Sequence, residues 1–153
     1  MTIDAELVTR KIALIMRDLD VLRTIFDKGR DLYLQNILDQ AAVERYLERA
    51  IGRMIDINYH LITESGYPPP ADYHASLTQL AELKVLDPML AHRIARAAGL
   101  RNRLVHEYDV IDAGKVFEAL EAGLRDVPVY LQMVNRRLED AGRRNEAAPR
   151  TDE

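Results

Sequence analysis

Apolar residues along this chain recur at three- and four-residue steps rather than at alternate positions, so helices and not strands are expected throughout. The first helix is expected from about Asp4 to Asp27, on Leu7, Ile12 or Ile15, Leu19, Leu22 and Phe26, with Gly29 as its stop. A second is expected to run unbroken from about Leu32 to Thr63 or Glu64, with Leu47, Ile51, Met54, Asn58 and Leu61 along one stripe. The segment "ESGYPPPADY" ends it, because three prolines forbid helix and Gly66 suits a C-terminal cap. A short helix follows from about Tyr73 to Lys84 on Leu77, Leu80 and Leu83. In "VLDPML", Asp87 can cap free amides while Pro88 takes the first helical position, where no donor is needed. The helix started there carries Leu90, Ile94, Ala97 and Ala98 and is expected to run on into "GLRNRLVHEYD". The cleanest seam is the last, from about Asp112 to Ala141, where Val116, Leu120, Leu124, Val127, Leu131, Val134 and Leu138 fall on one line. Pro128 interrupts it and predicts a kink or a restart near Asp126.

Helices with one apolar stripe each bury that stripe only by packing on one another, so the expected fold is an all-α bundle of four to five helices. A chain of 153 residues forms one domain, expected over residues 1–142, with 143–153 a polar C-terminal tail that is expected to be flexible. No apolar run is long enough to cross a bilayer, and "MTIDAELVTRKIALIM" lacks the features of a secretory signal, which points to the cytoplasm and to no membrane partner.

The absence of cysteine excludes disulfides, thiolate zinc sites and a thiolate nucleophile. The four histidines are scattered, and Asp56 with His60, four apart on one helix face, supplies only half a metal site, so no metal is expected. Neither a phosphate-cradling glycine loop nor a GxSxG elbow is present. The formal net charge of −4 would repel a polyanion, which therefore has to be met by a local patch. Arg93, Arg96, Arg101 and Arg103 fall close enough together to make one; Arg136, Arg137, Arg143 and Arg144 read better as a solvated helix face.

The densest chemistry is "GLRNRLVHEYD", Gly99 to Asp109. At about 100° per residue, Arg101 and Tyr108 are nearly eclipsed, Asn102 and His106 share a neighbouring line, and Arg101 and His106 diverge by about 140°. Arg101 and His106 meet over one small ligand only if the helix unwinds, the arginine curls round, or a second chain completes the site. Two readings of these residues stand side by side. One is a surface helix end whose arginines pair with Glu107 and Asp109. The other is a phosphodiester site: histidine exchanges protons near neutrality, and the planar arginine fork holds phosphate oxygens and stabilises added negative charge.

Arg101, four intervening residues, His106, one residue and Tyr108 form the pattern RxxxxHxY, preceded in order by "DINYHLI" and "VLDPMLA". In these residues the chain resembles the HEPN superfamily, specifically the HepT-like toxins of MNT-HEPN toxin–antitoxin pairs. Glu44 to Asp112 looks like this family throughout, and the flanking helices fit its bundle. The resemblance implies a homodimeric HEPN-type fold and a metal-independent endoribonuclease that cleaves transfer or messenger RNA in a cleft shared by two chains. It makes Arg101 and His106 the catalytic pair, with Asn102 in support. Arg103, beside Arg96, is expected to help line a positive groove, and Asp56 and His60 to line the cleft or support the dimer, or else to form a satisfied pair at a helix interface. It implies no cofactor for this chain. Tyr108 would be adenylylated by a nucleotidyltransferase antitoxin that uses ATP, adding bulk and negative charge where RNA must bind. The alternative within the same family is a non-catalytic HEPN subunit that binds nucleotide or oligomerises with a nucleotidyltransferase.

Overall fold

Each helix start in the structure, a computed structural model that describes residues 2–97, 99 and 112–148, can be traced to the residue that precedes it. Asp4 caps α1 (Ala5–Phe26) by accepting from the Leu7 amide at 3.0 Å. Gly29 then takes φ 96°, a left-handed turn that side chains rarely adopt, and opens α2 (Arg30–Gln35). The expected unbroken helix from Leu32 is thus divided. Asn36 is extended, and its side-chain oxygen accepts from the Leu38 and Asp39 amides at 3.1 Å each, so it caps a new helix, α3 (Ile37–Glu64), rather than continuing the old one.

Asp72 caps α4 (Tyr73–Glu82) through the Ala75 amide, at 2.7 Å. This helix stops two residues short of the expected Lys84, because Lys84 itself adopts φ 60° while the Val85 and Leu86 amides return to the Leu80 carbonyl. Asp87 and Pro88 start α5 (Pro88–Arg96) as expected, with the Leu90 amide donating to Asp87 at 3.1 Å, but the helix closes at Ala97 rather than running on as one element.

Asp112 caps α6 (Ala113–Ala147), 35 residues and about 50 Å long at 1.5 Å per residue. It is continuous through Pro128, so the chain does not restart near Asp126. Proline removes one backbone bond, while buried Leu124, Tyr130 and Leu131 on either side hold both halves to the core. The helix also continues through 143–147, where the polar tail was expected to begin, with every residue there exposed.

Among the described residues there are six helices and no strand, one helix more than expected because of the break at Asn36. α1 packs on α3 and α6, α4 packs on α5, and α3 reaches α1, α2, α4 and α6. The core is a continuous set of aliphatic side chains, including Ile15, Leu22, Met54, Ile57, Leu61, Leu80, Leu90 and Leu120. Phe117 of α6 closes one end, with ring centroids 5.2 Å from both Phe26 and Tyr33. A dry polar network crosses the middle. The Tyr130 hydroxyl donates to Asn58 Oδ1 at 2.5 Å, Asn58 Nδ2 donates to Ser76 Oγ at 3.0 Å, and Ser76 Oγ donates to the Tyr73 carbonyl at 2.6 Å. Asn58, Ser76 and Tyr130 are fully buried, so this chain of bonds ties α3, α4 and α6 together in one register.

Candidate active site

The motif-bearing segment connects the end of α5 to the start of α6, and both anchors are fixed by local chemistry. Leu90, Ala91, Ile94 and Ala95 bury one face of α5, leaving Arg93 and Arg96 in its last turn, where cations suit the exposed carbonyls of a helix end. Arg93 reaches across to α6 and donates from Nε to Asp126 Oδ1 at 3.3 Å. Asp126 is itself buried and also receives Nε and Nη2 of Arg125 at 3.1 and 3.2 Å. That bond to a carboxylate holds the Arg125 guanidinium above its ordinary range.

At the other anchor, Asp112 accepts from the Gly114 amide at 2.9 Å and the Lys115 amide at 3.4 Å. Gly114 lies close under Arg30, whose Nη2 would be 2.8 Å from a Cβ there, and Arg30 lies over the Phe117 ring at 5.9 Å. The first turn of α6 is therefore seated against α2.

Beside the Arg93–Asp126 anchor lies a small apolar cavity of about 60 Å³, lined by Ile94 of α5 and Ala97 at its end, Leu120 and Val127 of α6, and Ala50 and Met54 of α3. Arg93 and Asp126 form its polar edge.

Arg101, Asn102, Arg103, His106 and Tyr108 lie outside the described residues. Arg96 is described, exposed, five residues before Arg101. Asp56 and His60 are also described, and each is paired with α1 instead of with the other. His60 Nε2 accepts the Asp4 backbone N–H at 2.9 Å, and Lys11 Nζ donates to Asp56 Oδ2 at 3.0 Å. Together they staple the N-terminal half of α1 to α3. Among the described residues no three His, Cys, Asp or Glu side chains converge as a metal site.

Sequence reasoning did not single out the buried Asp18 and Asp126. The signal was available: Asp18 falls three residues after Ile15 and four before Leu22, and Asp126 lies between Leu124 and Val127, so each carboxylate sits on an apolar seam.

Comparison with known proteins places this geometry. In fold, the chain overlays the tri-AMPylated Shewanella oneidensis HEPN toxin, solved in complex with its MNT antitoxin, with a TM-score of 0.77 at 24% identity, over 85% of this chain and 97% of the other. The fold is that of the HEPN toxins. In sequence, the chain is 35% identical over 133 residues to the tRNA nuclease HepT of Aphanizomenon flos-aquae, 87% of this chain and 90% of that one. It is 24% identical over 129 residues to the mRNA nuclease HepT of S. oneidensis, 84% of this chain and 96% of the other. The family model described as "Ribonuclease HepT-like" matches residues 15–134, and the chain belongs to that family.

Proposed function

We propose that this protein is the toxin of a toxin–antitoxin pair, an endoribonuclease of the cytoplasm whose partner is an MNT-type nucleotidyltransferase. The observation that carries the reading is the Arg101, His106 and Tyr108 motif, intact in a chain of the ribonuclease HepT-like family. The names of the two nucleases above support RNA as substrate, and the solved toxin–antitoxin complex supports the partner.

In this mechanism His106 takes the proton of a ribose 2′-hydroxyl, and the 2′-oxygen attacks the adjacent phosphorus. Arg101 neutralises the charge gathering on the non-bridging oxygens. The bond to the 5′-oxygen breaks, that oxygen receives a proton from protonated His106, which restores the neutral imidazole, and a 2′,3′-cyclic phosphate remains. No redox partner or metal takes part. Asn102 supports the pair, and Arg96 and Arg103 hold flanking phosphates.

As the family resemblance implies, two chains form the working cleft and the protein acts as a homodimer, in which the second chain completes the site that Arg101 and His106, diverging on a regular helix, leave open. Asp56 and His60 contribute by fixing α1 on α3. The partner uses ATP to adenylylate Tyr108; the added phosphate charge and bulk exclude RNA from the Arg101 side of the motif.

Expression of the protein alone, beside His106→Ala and Arg101→Ala, tests this directly. Growth arrest with RNA cleavage by the wild type, lost in both variants, is expected. Wild-type protein that leaves growth and RNA unchanged refutes the toxin and favours the non-catalytic subunit. Co-expression with the nucleotidyltransferase should add the mass of one or more AMP groups to the Tyr108 peptide and none to a Tyr108→Phe variant.

A further inference from the structure

On the α1–α3 face, remote in sequence from the motif, two arginines are paired with one buried carboxylate and a third lines the same recess. Asp18 is buried, its side chain only 4% exposed, and it receives Arg53 Nη1 together with Arg49 Nη2 at 3.7 Å. Arg49 lies over the Tyr46 ring, 5.2 Å from its centroid. These contacts orient both guanidinium groups before any ligand arrives. Arg17, one residue before Asp18, is exposed, and among the described residues it has no ion pair. Arg17, Asp18, Tyr46 and Arg49, with Leu14 and Val21, line an open recess of about 130 Å³. The charged lining of the recess is two guanidinium groups against one carboxylate, an excess of one positive charge, in a chain whose formal net charge is −4.

A buried acid and an aromatic ring that hold Arg49 give a preorganised fork for phosphate oxygens, and Arg17 adds a second guanidinium at the rim: guanidinium binds such oxygens in bidentate fashion, and less side-chain freedom is lost where the side chain is already held. We propose that the Arg17–Arg49 recess is an RNA-backbone exosite, which takes a phosphodiester of the substrate strand away from the cleavage point. The inference rests on the ribonuclease reading, since it assigns RNA as the ligand. It also answers the charge problem, because an acidic protein must hold RNA by local patches and α1–α3 supplies a preformed one.

The test uses the full-length protein carrying His106→Ala and a labelled 20-nucleotide single-stranded RNA as probe. Binding is measured by fluorescence anisotropy at several salt concentrations, with light scattering for oligomeric state. Arg17→Glu should weaken binding about tenfold and lower the salt dependence by about one phosphate contact. Arg49→Lys, which keeps charge and the pair with Asp18 but loses the fork, should weaken it severalfold. Arg23→Glu, elsewhere on the same helix, reverses the same charge and should change binding far less. Equal losses for Arg17→Glu and Arg23→Glu overturn the exosite, as does unchanged RNA affinity for Arg17→Glu. A shift in oligomeric state with unchanged affinity per site overturns it too, and makes the face a contact between copies. The two readings fail separately: an active wild-type enzyme with an indifferent Arg17→Glu variant removes only the exosite, whereas wild-type protein that neither cleaves nor binds RNA removes the ribonuclease reading with it.

Discussion

Two polar clusters in this molecule solve the problem of burial in opposite ways. The Asn58–Ser76–Tyr130 chain is neutral and fully enclosed, with each donor meeting an acceptor inside the protein. The Asp18 cluster is charged, and only its carboxylate is enclosed; Arg53 and Arg49 keep 19% and 38% of their side chains exposed. A neutral chain in a dry core fixes helix register but has nothing left over for a ligand. A buried acid under half-exposed arginines gives up desolvation energy and gains an oriented, accessible charge. The first arrangement is built for stability and the second for recognition.

Alkaline titration should separate the two most sharply. Burial pushes the Tyr130 and Tyr73 phenols well up, and it pushes Tyr33, with Glu44 and Asp39 nearby, up to about 12 from an ordinary 10.0. A raised folded-state value means that the stability they contribute is complete below about pH 10 and is lost as pH rises through the folded values. Absorbance of tyrosinate should therefore lag in the native protein and appear together with loss of helix in circular dichroism. Smooth ionisation of all seven tyrosines near pH 10 with helix intact would contradict an enclosed network.

Among substitutions, Asn58→Ala should cost the most, about 3 kcal/mol in urea unfolding, because it leaves the Tyr130 hydroxyl only the Met54 carbonyl at 3.4 Å, deprives Ser76 of its donor and leaves a void. Asp18→Ala should cost about 2 kcal/mol, less than for a fully buried pair, since water reaches its arginines. Tyr130→Phe, which leaves Asn58 Oδ1 short of one donor, should cost about 1 kcal/mol. Lys11→Ala removes an ion pair whose partners are 25% and 58% exposed, and should change stability by about 0.5 kcal/mol or less. If Asp18→Ala costs more than Asn58→Ala, the division between a structural and a recognition cluster fails.

The sequence pattern carried the helical frame because its signals are local. Asp4, Asp87, Pro88 and Asp112 mark helix starts through bonds to amides two or three residues away or through a fixed φ. The break at Asn36 was missed although Asn is a good cap, because it lies among leucines and an isoleucine that continue a helical rhythm. Ile37 and Leu38 are in fact 77% and 78% exposed, so the rhythm there does not report burial. For the site, the motif residues were legible as chemistry and as a family resemblance. The partners of Asp56 and His60 were not, because Lys11 and Asp4 lie 45 and 56 residues away in sequence and meet them only once α1 lies on α3. Asp18 was hidden for the same reason: its arginines are 31 and 35 positions along the chain.

Pro128 has a mechanical meaning beyond its effect on helix boundaries. α6 is the longest element of the protein and touches α1, α2, α3 and α5, so it serves as the spine against which the other helices hold their places. A helix resists bending through its ladder of backbone bonds, and Pro128 leaves the carbonyl of Leu124 without its usual rung. The spine is therefore two stiff levers joined at one compliant point. The forward lever carries Asp112 and the entrance to the motif, and the rear lever carries Tyr130 and the buried network. Strain applied at the forward end is relieved at the joint before it reaches the hydrogen-bonded centre.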